Sequence, residues 1–136
     1  AKPNNQPEYS AKEECYFKEL EKRNNWKNPD RYIYNINEKG EPLPNDSVFF
    51  NKNYAYSFGV DIEDSTTFFS LPANTEDTIA LYLYNHVVDR TPQLRRIEII
   101  FNYEEDLDER ASIGHSRTEE YAVRGKRLVK LKHDME

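Results

Sequence analysis

Apolar and polar residues alternate along three stretches of the chain. Tyr54, Tyr56, Phe58, Val60 and Ile62 occupy every second position, as do Ile79, Leu81 and Leu83, and as do Ile97, Ile99, Phe101 and Tyr103. Strand side chains point to opposite faces with a period of two, so each stretch predicts a strand with one apolar stripe. The pattern predicts a mainly-β or α+β fold, an antiparallel sandwich or partly open barrel of about seven short strands with one N-terminal helix packed on it.

The helix is expected over residues 10–25. Ser10 and Glu13 stand at capping-box spacing, and the segment is free of Gly and Pro. Ala11 with Cys15, and Tyr16 with Leu20, pair at i,i+4 beside Phe17, which predicts the side that packs on the sheet. Asn24-Asn25 and Pro29 end the helix, with Trp26 wedged at the core edge. Further strands are expected over 31–37, with Tyr32, Tyr34 and Ile36 on one side, over 47–52, over 66–71 and over 121–132. Gly40 marks a turn, and Pro42 and Pro44 stiffen the loop after it. Residues 78–88 are apolar on both faces, which predicts a central strand covered above and below. Residues 104–116 read as a long polar connection.

With 136 residues the chain suits one domain, here 10–136 behind a leader at 1–9. The leader, with Pro3, Asn4, Asn5, Gln6 and Pro7, and Ala1 in place of an initiator Met, are expected after a cleavage or lipid-attachment site, and equally at an ordinary frayed terminus or a trimmed start. The expectation is an exported or lipid-tethered bacterial protein, periplasmic or elsewhere in the envelope or secreted, with the cytoplasm as the alternative. No apolar run is long enough to span a bilayer.

Charge sharpens the picture. Mean hydropathy is -0.98 and the net charge is -6. Residues 1–109 carry twelve Lys/Arg against twenty-one Asp/Glu, whereas 110–136 carry seven against four. An acidic body repels nucleic acid and favours a cationic partner. The densest acidic segment is Glu104, Glu105, Asp106, Asp108 and Glu109; Asp61, Glu63 and Asp64 extend it if the two loops share one end of the fold. These eight are the candidate partner-binding residues.

Catalytic and cofactor signatures are incomplete. His86, His115 and His133 lack metal-ligand spacing, the EF-hand register is absent, and four scattered glycines build no phosphate loop. Cys15, expected on a packing face among acidic neighbours, lacks the electropositive setting that activates a thiol nucleophile. Arg31 followed by Ser65-Thr66-Thr67 resembles the order of motifs in ADP-ribosyltransferase toxins, but Glu119-Glu120 lacks the Glu-x-Glu spacing that would complete it. The sequence therefore points to a non-catalytic protein-binding domain with no cofactor and no metal, of which an immunity-type inhibitor of a basic toxin is one version. A small ribonuclease using His86 and His115 near Arg95, Arg96 and Glu98 is the enzyme alternative, and a structural subunit that binds by strand addition is the third.

Overall fold

The computed structural model of the chain describes residues 4–132. His133 lies outside them. Ser10 caps helix α1 (Ala11–Asn24) as its spacing predicts: its hydroxyl accepts the Glu13 N–H at 3.1 Å, and Glu13 accepts the Ser10 N–H at 2.9 Å. Asn25, at φ 56°, ends the helix. Trp26 then packs edge-on against Phe101, ring centroids 5.1 Å apart. Tyr16, Phe17 and Leu20 form the buried side of α1 together with Glu13. Cys15 is exposed, which corrects its expected place on the packing face. The large Tyr16–Phe17–Leu20 surface removes more apolar area from water than Ala11 and Cys15 would, so it takes the inner position.

Among the described residues, five strands form one sheet in the order β1 (Lys27–Asn35), β2 (Tyr54–Asp61), β3 (Leu94–Asp106), β4 (Ser112–Arg124), β5 (Arg127–Lys130). All neighbours are antiparallel except β2 and β3, which are parallel. A parallel pair needs a crossover, and helices supply it. They are α2 (Ser65–Phe69) and α3 (Thr75–Tyr82), the latter continuing through a π-helical turn at Leu83–Val87. The mainly-β expectation with an N-terminal helix therefore holds. The sheet is single and mixed, with five strands in place of about seven, and it is not a closed barrel.

Three expected strands take other forms, each for a local reason. Residues 66–71 enter α2 because Asp64 caps it, accepting the N–H and the hydroxyl of Thr67 at 2.9 Å each. Residues 78–88 fit two periods at once. Ile79, Leu81 and Leu83 alternate, but Ile79, Ala80, Leu83, Tyr84 and Val87 also form a helical stripe, and that stripe is what is buried while Leu81 and Tyr82 stay exposed. Val48-Phe49-Phe50 is held as a loop by the fully buried Asn35. The Asn35 side chain accepts the Phe49 N–H at 2.8 Å and donates to the carbonyls of Phe49 at 2.8 Å and Asn53 at 3.1 Å.

The core lies between the helices and one sheet face, centred on Phe58, Leu83, Ile97, Ile99 and Phe101. On that face β1 presents Arg31, Ile33 and Asn35, while Tyr32 and Tyr34 lie on the other. Residues 5–9 run beside β1: the Gln6 side chain accepts the Ile33 N–H at 2.8 Å and donates to its carbonyl at 2.9 Å. Residues 104–106 and 112–116 are not a connection but the far part of the β3–β4 hairpin. Gly125, at φ 64°, makes the turn into β5.

Candidate functional site

The parallel register of β2 and β3 decides where the acidic residues meet. Asp61, at the end of β2, pairs with Asn102, so β3 runs on for four residues with only β4 beside it. The β3–β4 hairpin projects beyond the sheet as a two-stranded arm. Glu104, Glu105 and Asp106 lie on this arm, and Asp108 and Glu109 lie at its tip. Asp61, Glu63 and Glu104 line one open hollow of about 610 Å³ with Lys27, Tyr103 and His115. The two acidic segments thus share one end of the molecule.

Several carboxylates are already engaged. Asp61 accepts from the Asn28 side-chain amide at 3.0 Å, Glu104 from the Ser112 hydroxyl at 2.6 Å, and Asp108 from the Arg110 N–H at 2.7 Å. Asp64 is the α2 cap, and the two Thr67 donors hold its carboxyl below the usual range. Glu63, Asp106 and Glu109 face water.

Aromatic residues that the sequence reading left out of the site sit beside these acids. Tyr103 and His115 are register partners and stack with centroids 5.8 Å apart. Phe69 meets the His115 ring edge-on at 5.4 Å and is 62% exposed. Glu105 approaches His115 Nε2 at 3.2 Å. Ile113 and Leu107 are exposed on the same arm. The alternation that marked Tyr103 as inward held a clue, since its stripe continues through Glu105, a charged residue where a core would need an apolar one.

The ribonuclease constellation does not assemble in the expected manner. His86 lies in the π-helical turn, against Tyr82, with centroids 4.8 Å apart. Arg96 and Glu98 sit on the sheet face away from the helices, bonded to Glu120 and Ser57. His115 lies at the arm. For strand addition, β1 already has Gln6 on Ile33, and the edge strand β5 is four residues long and bears Arg127 and Lys130.

Midway along β1 and β2, on the face that packs the helices, the structure places a buried charge cluster, with Arg31 opposite Phe58. Arg31 donates to Glu13 from Nε at 2.7 Å and from Nη2 at 3.3 Å, and to the Glu8 carbonyl at 3.0 Å. The Tyr56 hydroxyl donates to Glu13 at 2.6 Å. Burial pushes the Glu13 carboxyl up, but donors from Arg31, Tyr56 and Ser10 together hold it below its ordinary range. Burial and the Glu13 charge push the Tyr56 hydroxyl far up. Tyr9 lies over the guanidinium, 4.6 Å from its carbon, and burial with the Asp30 carboxylate raises its pKa to about 12. The capping box was legible at Glu13; its buried arginine partner was not.

Among the described residues no group of three or more His, Cys, Asp or Glu side chains could hold a metal ion, and no helix is long and apolar enough to cross a membrane. Comparison with known proteins finds no matching family model, no matching curated protein and no matching solved structure.

Proposed function

We propose that the chain is a non-catalytic protein-binding domain that docks a partner with a basic surface on the projecting β3–β4 arm. The observation that carries this reading is the meeting of both acidic segments at one end, beside exposed Phe69, Ile113 and Leu107. Aromatic and aliphatic anchors concentrate binding energy, and a charged rim steers the encounter. An immunity-type inhibitor of a basic toxin, exported or tethered at the envelope, is the version that this pairing of acids and anchors suits best.

The test is capture from the native host followed by kinetics on the captured partner. Glu105→Lys with Asp108→Lys slows association by roughly tenfold at low salt and flattens its salt dependence. Phe69→Ala leaves the association rate near wild type and speeds dissociation. An unchanged association rate in the double variant removes the arm from the interface.

A further inference from the structure

We propose that the cavity beside Arg31, at the end of the sheet away from the acidic arm, binds a small uncharged molecule that has an apolar body and one carbonyl-type acceptor. The cavity measures about 370 Å³, within the size range of small-ligand sites. Ile33, Tyr54, Val87 and Leu94 give it apolar walls, and the half-exposed Phe50 stands at its side. One wall is the π-helical turn, where the Val88 N–H reaches back to the Leu83 carbonyl at 2.9 Å. Such turns recur at functional sites because they displace side chains from the regular helical stripe.

The ligand chemistry follows from Arg31. Its side chain is 1% exposed and lines the cavity, yet its Nη1 is the one buried side-chain nitrogen or oxygen among the described residues with no hydrogen-bond partner. Tyr9 covers the flat face of the guanidinium, Nε and Nη2 are answered by Glu13 and the Glu8 carbonyl, and the Nη1 donors at the remaining edge are left unanswered. The chain does saturate a guanidinium elsewhere: Arg117 bonds through all three nitrogens, to Glu76 and to the carbonyls of Leu71 and Pro72. Arg31 therefore lacks an acceptor, not a countercharge, because Glu13 already neutralises it. Glu8 and Asp89 line the cavity along with Lys12, so a ligand carboxylate would meet three negative groups, Glu13 included, and two positive ones. A neutral carbonyl oxygen gains the Nη1 hydrogen bond without that repulsion.

The experiment titrates the full chain with acetophenone, ethylbenzene and benzoate, followed by NMR of the Arg31 Nε–H and the Val87, Val88 and Leu94 amides. Acetophenone is expected to give saturable shifts at these positions, with ethylbenzene roughly tenfold weaker because it lacks the acceptor. Benzoate is expected to bind more weakly than acetophenone. Val88→Trp, at a half-buried wall position, fills the space and abolishes the acetophenone shifts. Equal binding of ethylbenzene and acetophenone overturns the acceptor role, and tightest binding by benzoate overturns the uncharged ligand. Absence of saturable shifts with all three means the cavity holds water only and ends the proposal. None of these readings touches the acidic arm, so either proposal can fail alone.

Discussion

Two arginines pin two helix starts to the same sheet face, and they do so unequally. Arg31 on β1 stands opposite Phe58 and holds Glu13, in the first turn of α1; Arg117 on β4 stands opposite Phe101 and holds Glu76, in the first turn of α3. Both facing phenylalanines are fully buried. The Arg31 side chain is 1% exposed and Glu13 9%, whereas Arg117 is 29% exposed over a Glu76 that is 1% exposed. Glu76 raises the Arg117 pKa further, and two main-chain carbonyls complete its set of acceptors. The device is the same, but the Arg117 guanidinium keeps contact with water, while the Arg31 guanidinium is buried beside Tyr9, Tyr56 and Glu8 at the wall of the small cavity. Burial makes a charge pair costly to form and costlier to break on one side.

That difference sets the largest expected effect. Glu13→Ala leaves a buried guanidinium without its countercharge and removes half of the capping box, and it should cost about 3–5 kcal/mol of unfolding free energy. Glu76→Ala should cost less, about 1–3 kcal/mol, because Arg117 retains two carbonyls and access to water. Urea unfolding of both variants checks the order. A Glu76→Ala loss equal to or larger than the Glu13→Ala loss would remove the distinction between the two pairs. Replacing both partners, Glu13→Leu with Arg31→Met, should recover part of the single-variant loss, since no charge is left unpaired and only the Tyr56 hydroxyl, the Ser10 N–H and the Glu8 carbonyl lose a partner.

Acid tests the Glu13 side of the comparison next. The folded-state pKa of Glu13 is depressed, so its contribution is complete above the ordinary carboxyl value of 4.5 and is lost as pH falls through the folded value. For Asp77 burial pushes up, but the Tyr121 hydroxyl and Lys130 bring its carboxyl below the usual range, with the same sign. Stability should therefore fall as pH drops below about 4.5. Glu13→Gln should flatten that fall while lowering stability at neutral pH. Urea midpoints for both proteins at neutral and acid pH decide it, and parallel curves would show that Glu13 does not report the acid transition.

The same contrast explains what could be read from the chain. β2 and β3 were legible because their inward residues are apolar and alternate without interruption. β1 was legible as a strand, but its inward stripe of Arg31, Ile33 and Asn35 reads as polar, and Tyr32 and Tyr34 are the greasier side. Only partners distant in sequence make the polar side the buried one: Glu13 for Arg31, and the 45–53 loop for Asn35. Residues 78–88 failed for the opposite reason, since an apolar-rich segment satisfies both periods and only the parallel β2–β3 crossover selects the helix. At the candidate site the acidic residues were legible one by one. Their meeting at one end was not, because it depends on the Asp61–Asn102 register. Phe69 was hidden inside a segment whose β-branched and aromatic residues pointed to a strand.

The smallest expected effect lies on the arm itself, and it tests whether charge there is free to serve a partner. Asp106 and Glu109 are exposed, without the buried donors that hold Glu13 in place. Exposed charges of this kind contribute little to folding, so Asp106→Asn with Glu109→Gln should shift stability by no more than about 0.5 kcal/mol in either direction. A small stabilisation is the favoured sign, because neighbouring carboxylates on one arm repel each other, and added salt should erase it. A loss of more than about 1 kcal/mol would mean that the arm's charges support the fold in the manner of Glu13, leaving no surplus charge for a basic partner.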